Sequence, residues 1–227
     1  AFINQRPYDI VADPKDEPKA IFISAVSTAP LAADFGFIIK DKVDAFQEGI
    51  YALQKLTKGK VHLSVDEKSE PVLKGIQGVE LHNVKGPHPA GNVGVQIHNI
   101  NPINIGERVW TVGAEDVATI GKLFLTGEFH AERTIALTGS EAKERKYYRT
   151  LIGANSADII GEVSSDVRII SGDVLTGTKI SNNQYLGFFP NMITLIPEGN
   201  KYRMLGWLPF TYNNIHSNSR TSLSFLF

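Results

Sequence analysis

The stretch "DKVDAFQEGIYALQKLTKGKVHLSVD", residues 41–66, changes character midway. Val43, Phe46, Ile50, Leu53 and Leu56 recur every three or four positions, the spacing that lines one face of an α-helix. After Gly59 the run KVHLSVD reads as a strand, and upstream AIFISAV, residues 20–26, reads as a buried strand. A strand, a helix and a second strand in this order imply a βαβ unit, a parallel sheet and a right-handed crossover.

Working outward, the alternation continues. VELHNV is the next strand, and KGPHPAGNVGVQIHNINP, residues 85–102, reads as a Gly/Pro turn followed by a short helix through Val93 and Ile97. ERVWTVG is a strand leading into AEDVATIGKLFLTG, where Val117, Ile120, Leu123 and Phe124 form a second helical stripe. Residues 20–39 have the length of a membrane span, but Pro30, Asp34 and interposed Ser and Thr argue against one. The later part of that stretch reads as a loop and a short strand. Residues 1–19 carry three prolines and no apolar period, so they read as an extended arm outside the core. The first domain therefore spans residues 1–129.

From Ala131 the helical period largely stops. ERTIALTG, KYYRTLIG, DVRIISG, YLGFFPNMITLIP and KYRMLGWLPF are short strand-like runs, with one short helix at NSADIIGEV capped by Asn155 or Ser156. These imply an α+β module of the grasp type over residues 130–200. Residues 201–227 are too short for a domain and read as a truncated connection to a C-terminal region; with Ala1 and SLSFLF as its ends, the chain is expected to be a fragment.

With 42% apolar and 21% charged residues, the 227-residue chain has an ordinary globular balance and suits two domains. A net charge of −1 without blocks of like charge argues against nucleic acid as a partner. The absence of cysteine excludes disulfides, thiolate-held iron–sulfur clusters and cysteine catalysis in this chain.

The 85–102 stretch holds His88 and His98, but no third ligand accompanies them and they need not converge, so no metal is expected there. Gly86, Gly91 and Gly94 lie between a strand and a helix, where backbone N–H groups receive anions. Their spacing is not G-x-G-x-x-G, and Pro87 and Pro89 remove two donors. GAEDVATIGKL approaches a P-loop but has Leu123 where the magnesium-binding hydroxyl belongs. No nucleophile elbow occurs, and Glu115, Asp116 and Glu128 fall on helical faces, so no catalytic residue is assigned. In the arm, Phe2, Arg6, Pro7 and Tyr8 combine aromatic surface, a cation and rigid backbone in a way that suits ligand or subunit contact.

Four blocks in chain order, ISAVSTAPLAAD, GPHPAGNVGVQIHNINP, ATIGKLFLTGEF and DVRIISGDVLTGTK, resemble the A subunits of the sodium-translocating NADH:quinone oxidoreductase, a bacterial respiratory pump. The resemblance implies a Rossmann-like α/β domain, akin to the flavin-carrying subunit of complex I and the C subunit of the Rnf complex. It also implies a following β-grasp module of the soluble-ligand-binding type. The Gly86–Gly94 turn, with His98 beyond it, then becomes a remodelled nucleotide turn with a mainly structural role. By the same resemblance the chain holds no redox cofactor. NADH, FAD, FMN, iron–sulfur centres and Na+ belong to partner subunits, some of them in the membrane. The subunit sits peripherally on the cytoplasmic face of the bacterial inner membrane and takes part in quinone binding. The family segment implicated in quinone resembles FINQRPYD, which passes a contact role to Phe2, Arg6, Pro7 and Tyr8, while the family varies at Ile3–Gln5. Two rival readings are a flavin- or nucleotide-binding redox protein using the Gly86–Gly94 turn, and a scaffold that binds no small molecule.

Overall fold

Eleven strands and six helices organise residues 1–199, the part of the chain that the computed structural model describes. The run KYRMLGWLPF and the expected C-terminal connection lie outside the described residues. The first sheet contains β1 (Ile3–Arg6), β2 (Ile10–Val11), β3 (Ala20–Ala25), β4 (Lys60–Val65), β5 (Glu80–Asn83) and β6 (Val109–Gly113), in the order β2-β1-β6-β3-β4-β5. Strands β6, β3, β4 and β5 are mutually parallel, whereas β1 and β2 add an antiparallel edge.

Both faces of this sheet are covered, which is why β3 reads as an unbroken apolar run rather than an alternating one. Ile21, Ile23 and Ala25 turn toward a core that includes α2 (Val43–Gln54) and α5 (Ala114–Thr126). Ala20 and Phe22 turn the other way, against Ile97 of α4 (Val93–Ile100). The order reverses at β3, which has β4 on one side and β6 on the other, so its C-terminal end is the switch point where such sheets receive ligands.

Three expectations are corrected here. The arm is only partly outside the core: β1 pairs with β6, Gln5 is buried, and the Trp110 indole N–H donates to Gln5 Oε1 at 3.0 Å. The short strand expected before residue 40 is instead the helix α1 (Phe35–Ile39), started by Asp34, whose carboxylate accepts from the Phe37 N–H at 3.1 Å. The apolar stripes also overrun their burial. Leu56 lies beyond α2 and is 43% exposed, and Leu123 and Phe124 are exposed on the last turns of α5. The remaining helix of this half, α3 (Glu70–Leu73), is a single turn between β4 and β5.

The second sheet holds β7 (Glu132–Thr138), β8 (Tyr147–Leu151), β9 (Val167–Ser171), β10 (Thr178–Ile180) and β11 (Met192–Pro197), in the order β10-β9-β11-β7-β8. Only β11 and β7 are parallel neighbours; the other pairs are antiparallel. Its helix α6 (Ser156–Ile160) is capped by Asn155, whose side chain accepts from the Ala157 N–H at 3.0 Å.

The sheets meet along a seam in which Ala136 and Met192 join the first core. Arg133 donates to Asp116 at 2.7 Å, while Glu115 accepts from Lys42 at 2.6 Å and from the Thr134 N–H at 2.9 Å. Glu115, Asp116 and Arg133 are all buried, a placement charged groups tolerate only when paired.

Candidate functional site

The Gly86–Gly94 turn stands at the switch point, and three of its N–H donors, those of Ala90, Gly91 and Asn92, are committed within the protein. The Ala90 N–H donates to the Pro87 carbonyl at 3.0 Å, and the Asn92 N–H to the Pro89 carbonyl at 2.8 Å. The Gly91 N–H donates to Thr28 Oγ1 at 2.9 Å. A Cβ on Gly91 would lie 2.6 Å from the Thr28 nitrogen, so glycine here admits the loop after β3 into the space a phosphate would fill. Gln96, buried at the base of α4, donates to Ser24 at 3.0 Å and to the Gly91 carbonyl at 3.2 Å, tying the turn to the end of β3. Gly86 has φ +141°, and Gly94, inside the first turn of α4, has open space around it. His88 Nδ1 lies 3.3 Å from Thr28 Oγ1, whereas His98 is exposed in the last turn of α4, so the two histidines are not brought together.

The arm residues divide into two groups. The Phe2 ring packs 5.2 Å from Phe188 and 6.0 Å from Phe129, and Phe188 meets Phe189 edge-on at 5.0 Å. Phe129, Phe188 and Phe189 keep large exposed areas, so this is an accessible aromatic surface. Arg6 lies at the other end of β1, about 13 Å away at ~3.3 Å per extended residue. Its Nε is 3.3 Å from Asp9, Pro7 is exposed beside it, and Tyr8 is 79% exposed. Tyr8 therefore stands with Arg6 and Pro7 at the far end of β1 from the Phe2 cluster. Phe188 and Phe189 escaped because YLGFFPNMITLIP reads as one strand-like run, whereas the strand starts only at Met192 and YLGFFPN before it is a Gly/Pro-bearing loop.

A third arrangement went unread. His62 on β4 and Glu80 on β5 are register partners, and His82 follows Glu80 by two residues. His62 Nδ1 lies 3.0 Å from His82 Nε2 and 3.3 Å from Glu80 Oε2, and Lys60 binds the other oxygen of the same carboxylate. His62 is 3% exposed and stacks on Phe22 with ring centroids 4.5 Å apart. Burial, then the neighbouring His82, pushes the His62 imidazole below its usual range, with Glu80 acting the other way. The signal was present as E-x-H in a strand, which puts both side chains on one face, but the partner His62 became visible only with the pairing of β4 and β5.

At the seam, a cleft of about 610 Å³ lies between α2, α5 and the second sheet, lined among others by Lys40, Lys42, Lys122, Arg133 and Arg149. Its cations are largely answered: Lys122 pairs with Glu132 at 3.0 Å, Arg149 with Asp41 at 3.0 Å, and Lys40 sits 4.0 Å over the Phe37 ring. Beneath it, burial pushes the Asp116 carboxyl up to about 6 against the opposing pull of Arg133.

Residues 1–129 match the family described as "NqrA second alpha/beta domain", and residues 134–182 match "NQRA C-terminal domain". The chain is 39% identical over 209 residues to the A subunit of the Na(+)-translocating NADH-quinone reductase of Neisseria meningitidis serogroup B, covering 91% of this chain and 47% of that protein. The protein of the same name from Yersinia pestis is 38% identical over 228 residues, covering 99% of this chain and 51% of that protein. The chain thus spans about half the length of the curated relatives it matches. Among solved structures, a chain of an NAD+-reducing [NiFe]-hydrogenase superposes with a TM-score of 0.58 at 10% identity, covering 82% of this chain and 41% of that one, a likeness of fold alone. Because the two family matches follow in order and the first takes in more than half of its length, the chain belongs to the NqrA family, the A subunits of the Na+-translocating NADH-quinone reductase.

Proposed function

We propose that this chain is part of a peripheral subunit of the Na+-translocating NADH-quinone reductase, one that helps bind quinone and neighbouring subunits and holds no redox cofactor itself. The observation that carries this reading is the ordered match of both halves to NqrA domains. NADH, FAD, FMN, iron–sulfur centres and Na+ belong to partner subunits, which accords with a chain that has no thiolate to hold a cluster. Among the described residues no helix is long and apolar enough to cross a membrane, in keeping with a peripheral place on the cytoplasmic face of the inner membrane.

The finer fold assignment belongs to the same proposal. Residues 1–129 form a Rossmann-like domain, supported by four parallel strands with an order reversal at β3. Residues 130–200 form a β-grasp module, supported by the β7–β8 hairpin, the helix α6, and a last strand, β11, inserted in parallel beside the first. The Gly86–Gly94 turn is a remodelled nucleotide turn; its Thr28 partner supports that reading over the flavin-binding rival.

Phe2, Arg6, Pro7 and Tyr8 are the quinone contacts of this proposal. Phe2 brings aromatic surface, and Arg6 brings a donor for a quinone oxygen. The test is titration of the isotope-labelled chain with a short-tail quinone. Saturable amide shifts at Phe2–Tyr8 and at Phe188–Phe189 are expected; a titration that moves none of these would remove quinone binding from this chain.

A further inference from the structure

We propose that His62, Glu80 and His82 form a Zn2+ site that ties the edge strand β5 to β4. This stands apart from the quinone reading and uses none of its residues.

The placement follows from strand geometry. Residues two apart on a strand share a face, so Glu80 and His82 point together, and the parallel register sets His62 beside Glu80. The ligand atoms all lie within 4.8 Å of one another. A tetrahedral zinc with bonds of about 2.0–2.1 Å needs its ligand atoms about 3.3 Å apart. The His62–Glu80 separation is 3.3 Å and the His62–His82 separation 3.0 Å, so an ion enters with shifts of a few tenths of an ångström on those two edges. Glu80, whose side chain is 40% exposed, swings to close the remaining edge.

The donor set also selects the ion. Two imidazoles and one carboxylate suit a borderline cation such as Zn2+, with water in the fourth position. Lys60 holds the second Glu80 oxygen, which orients the carboxylate but adds a positive charge beside the ion. Metal at His62 Nδ1 moves the ring proton to Nε2, which is buried without a partner. Both features set the affinity below that of a site whose ligands are fully supported from behind.

The test uses the full 227-residue chain, stripped with a chelator and titrated with Zn2+ by calorimetry. One saturable site is expected, together with a Zn2+-dependent rise in Tm. His82→Ala and Glu80→Gln should each weaken binding by at least about tenfold, the low end of what even a supporting residue contributes, and His82→Ala should abolish the rise in Tm. His88→Ala and His98→Ala should leave binding unchanged, while Lys60→Met should tighten it. Co2+ in place of Zn2+ should give the visible absorption of four-coordinate cobalt. His62 is not the variant of choice, because its burial makes misfolding hard to separate from ligand loss. The absence of saturable binding, or binding that survives both His82→Ala and Glu80→Gln, overturns the proposal and leaves the three residues as a hydrogen-bonded cluster.

Discussion

Gly121 and Gly49 face each other where α5 crosses α2: a Cβ built on Gly121 would lie 2.5 Å from the Gly49 nitrogen and closer still to the Ala45 carbonyl oxygen. The helices therefore meet backbone to backbone. This also accounts for the Gly-Lys pair that imitated a P-loop, since the glycine is there for packing rather than for phosphate. Helix propensity alone would make Gly121→Ala stabilising by up to about 1 kcal/mol. Overpacking at a rigid crossing costs about 1–3 kcal/mol or more, so chemical denaturation should show net destabilisation. A stabilised variant would mean the helices separate freely.

The acid response of Asp116 has a definite sign. Its carboxyl is raised to about 6 in the folded chain, mainly by burial, from 3.8. The folded state therefore holds a proton that the unfolded state has released between these values, and this contribution is full below about 4 and lost as pH rises through about 6. Other carboxylates, Glu132 and Glu80 among them, are lowered by their lysine partners and act in the opposite direction. The difference between wild type and Asp116→Asn isolates the effect. Raising pH from 4 to 7 should shift relative stability toward the variant, and a gap independent of pH would show an ordinary carboxyl.

Removing the acceptor from Trp110 tests whether the arm is structural. Gln5→Met leaves a buried indole N–H unpartnered, which costs about 1–3 kcal/mol. Denaturation followed by tryptophan fluorescence measures this; no loss would mean that β1 is dispensable to the sheet.

In the assembled complex, Arg6→Ala and Phe2→Ala should each reduce quinone turnover several-fold without loss of assembly. Phe2 precedes β1 and Arg6 ends it, but both are proposed to contact one quinone, so the double variant should depart from additivity. Unchanged kinetics in Arg6→Ala removes that residue from the proposed site.

Long periodic segments were legible in the sequence. The helix of Val43, Phe46, Ile50 and Leu53 and the strands AIFISA, KVHLSV and VWTVG lie where pattern put them, because burial there follows period. Helix α1 was not legible, since five residues are too few to show a period and its start depends on one capping aspartate. Nor was β1 in a proline-bearing arm, where the decisive contact comes from Trp110, more than a hundred residues away. The candidate sites were legible as residue types but not as groupings. His88 and His98 are near in sequence and apart in space, whereas His62 and His82 are twenty residues apart and in contact. Parallel pairing creates such neighbours, and no local spacing reveals them.

The ionic seam has a consequence for any attempt to divide the protein. Cut near residue 130, the first piece would keep Glu115 and Asp116 but lose Arg133 and the Thr134 amide, and the second would carry a buried Arg133 with the Phe189 carbonyl but neither carboxylate to answer it. Neither half would then be a smaller working copy of the whole. Any displacement of β7 is passed to α5 directly, through the buried Arg133–Asp116 pair.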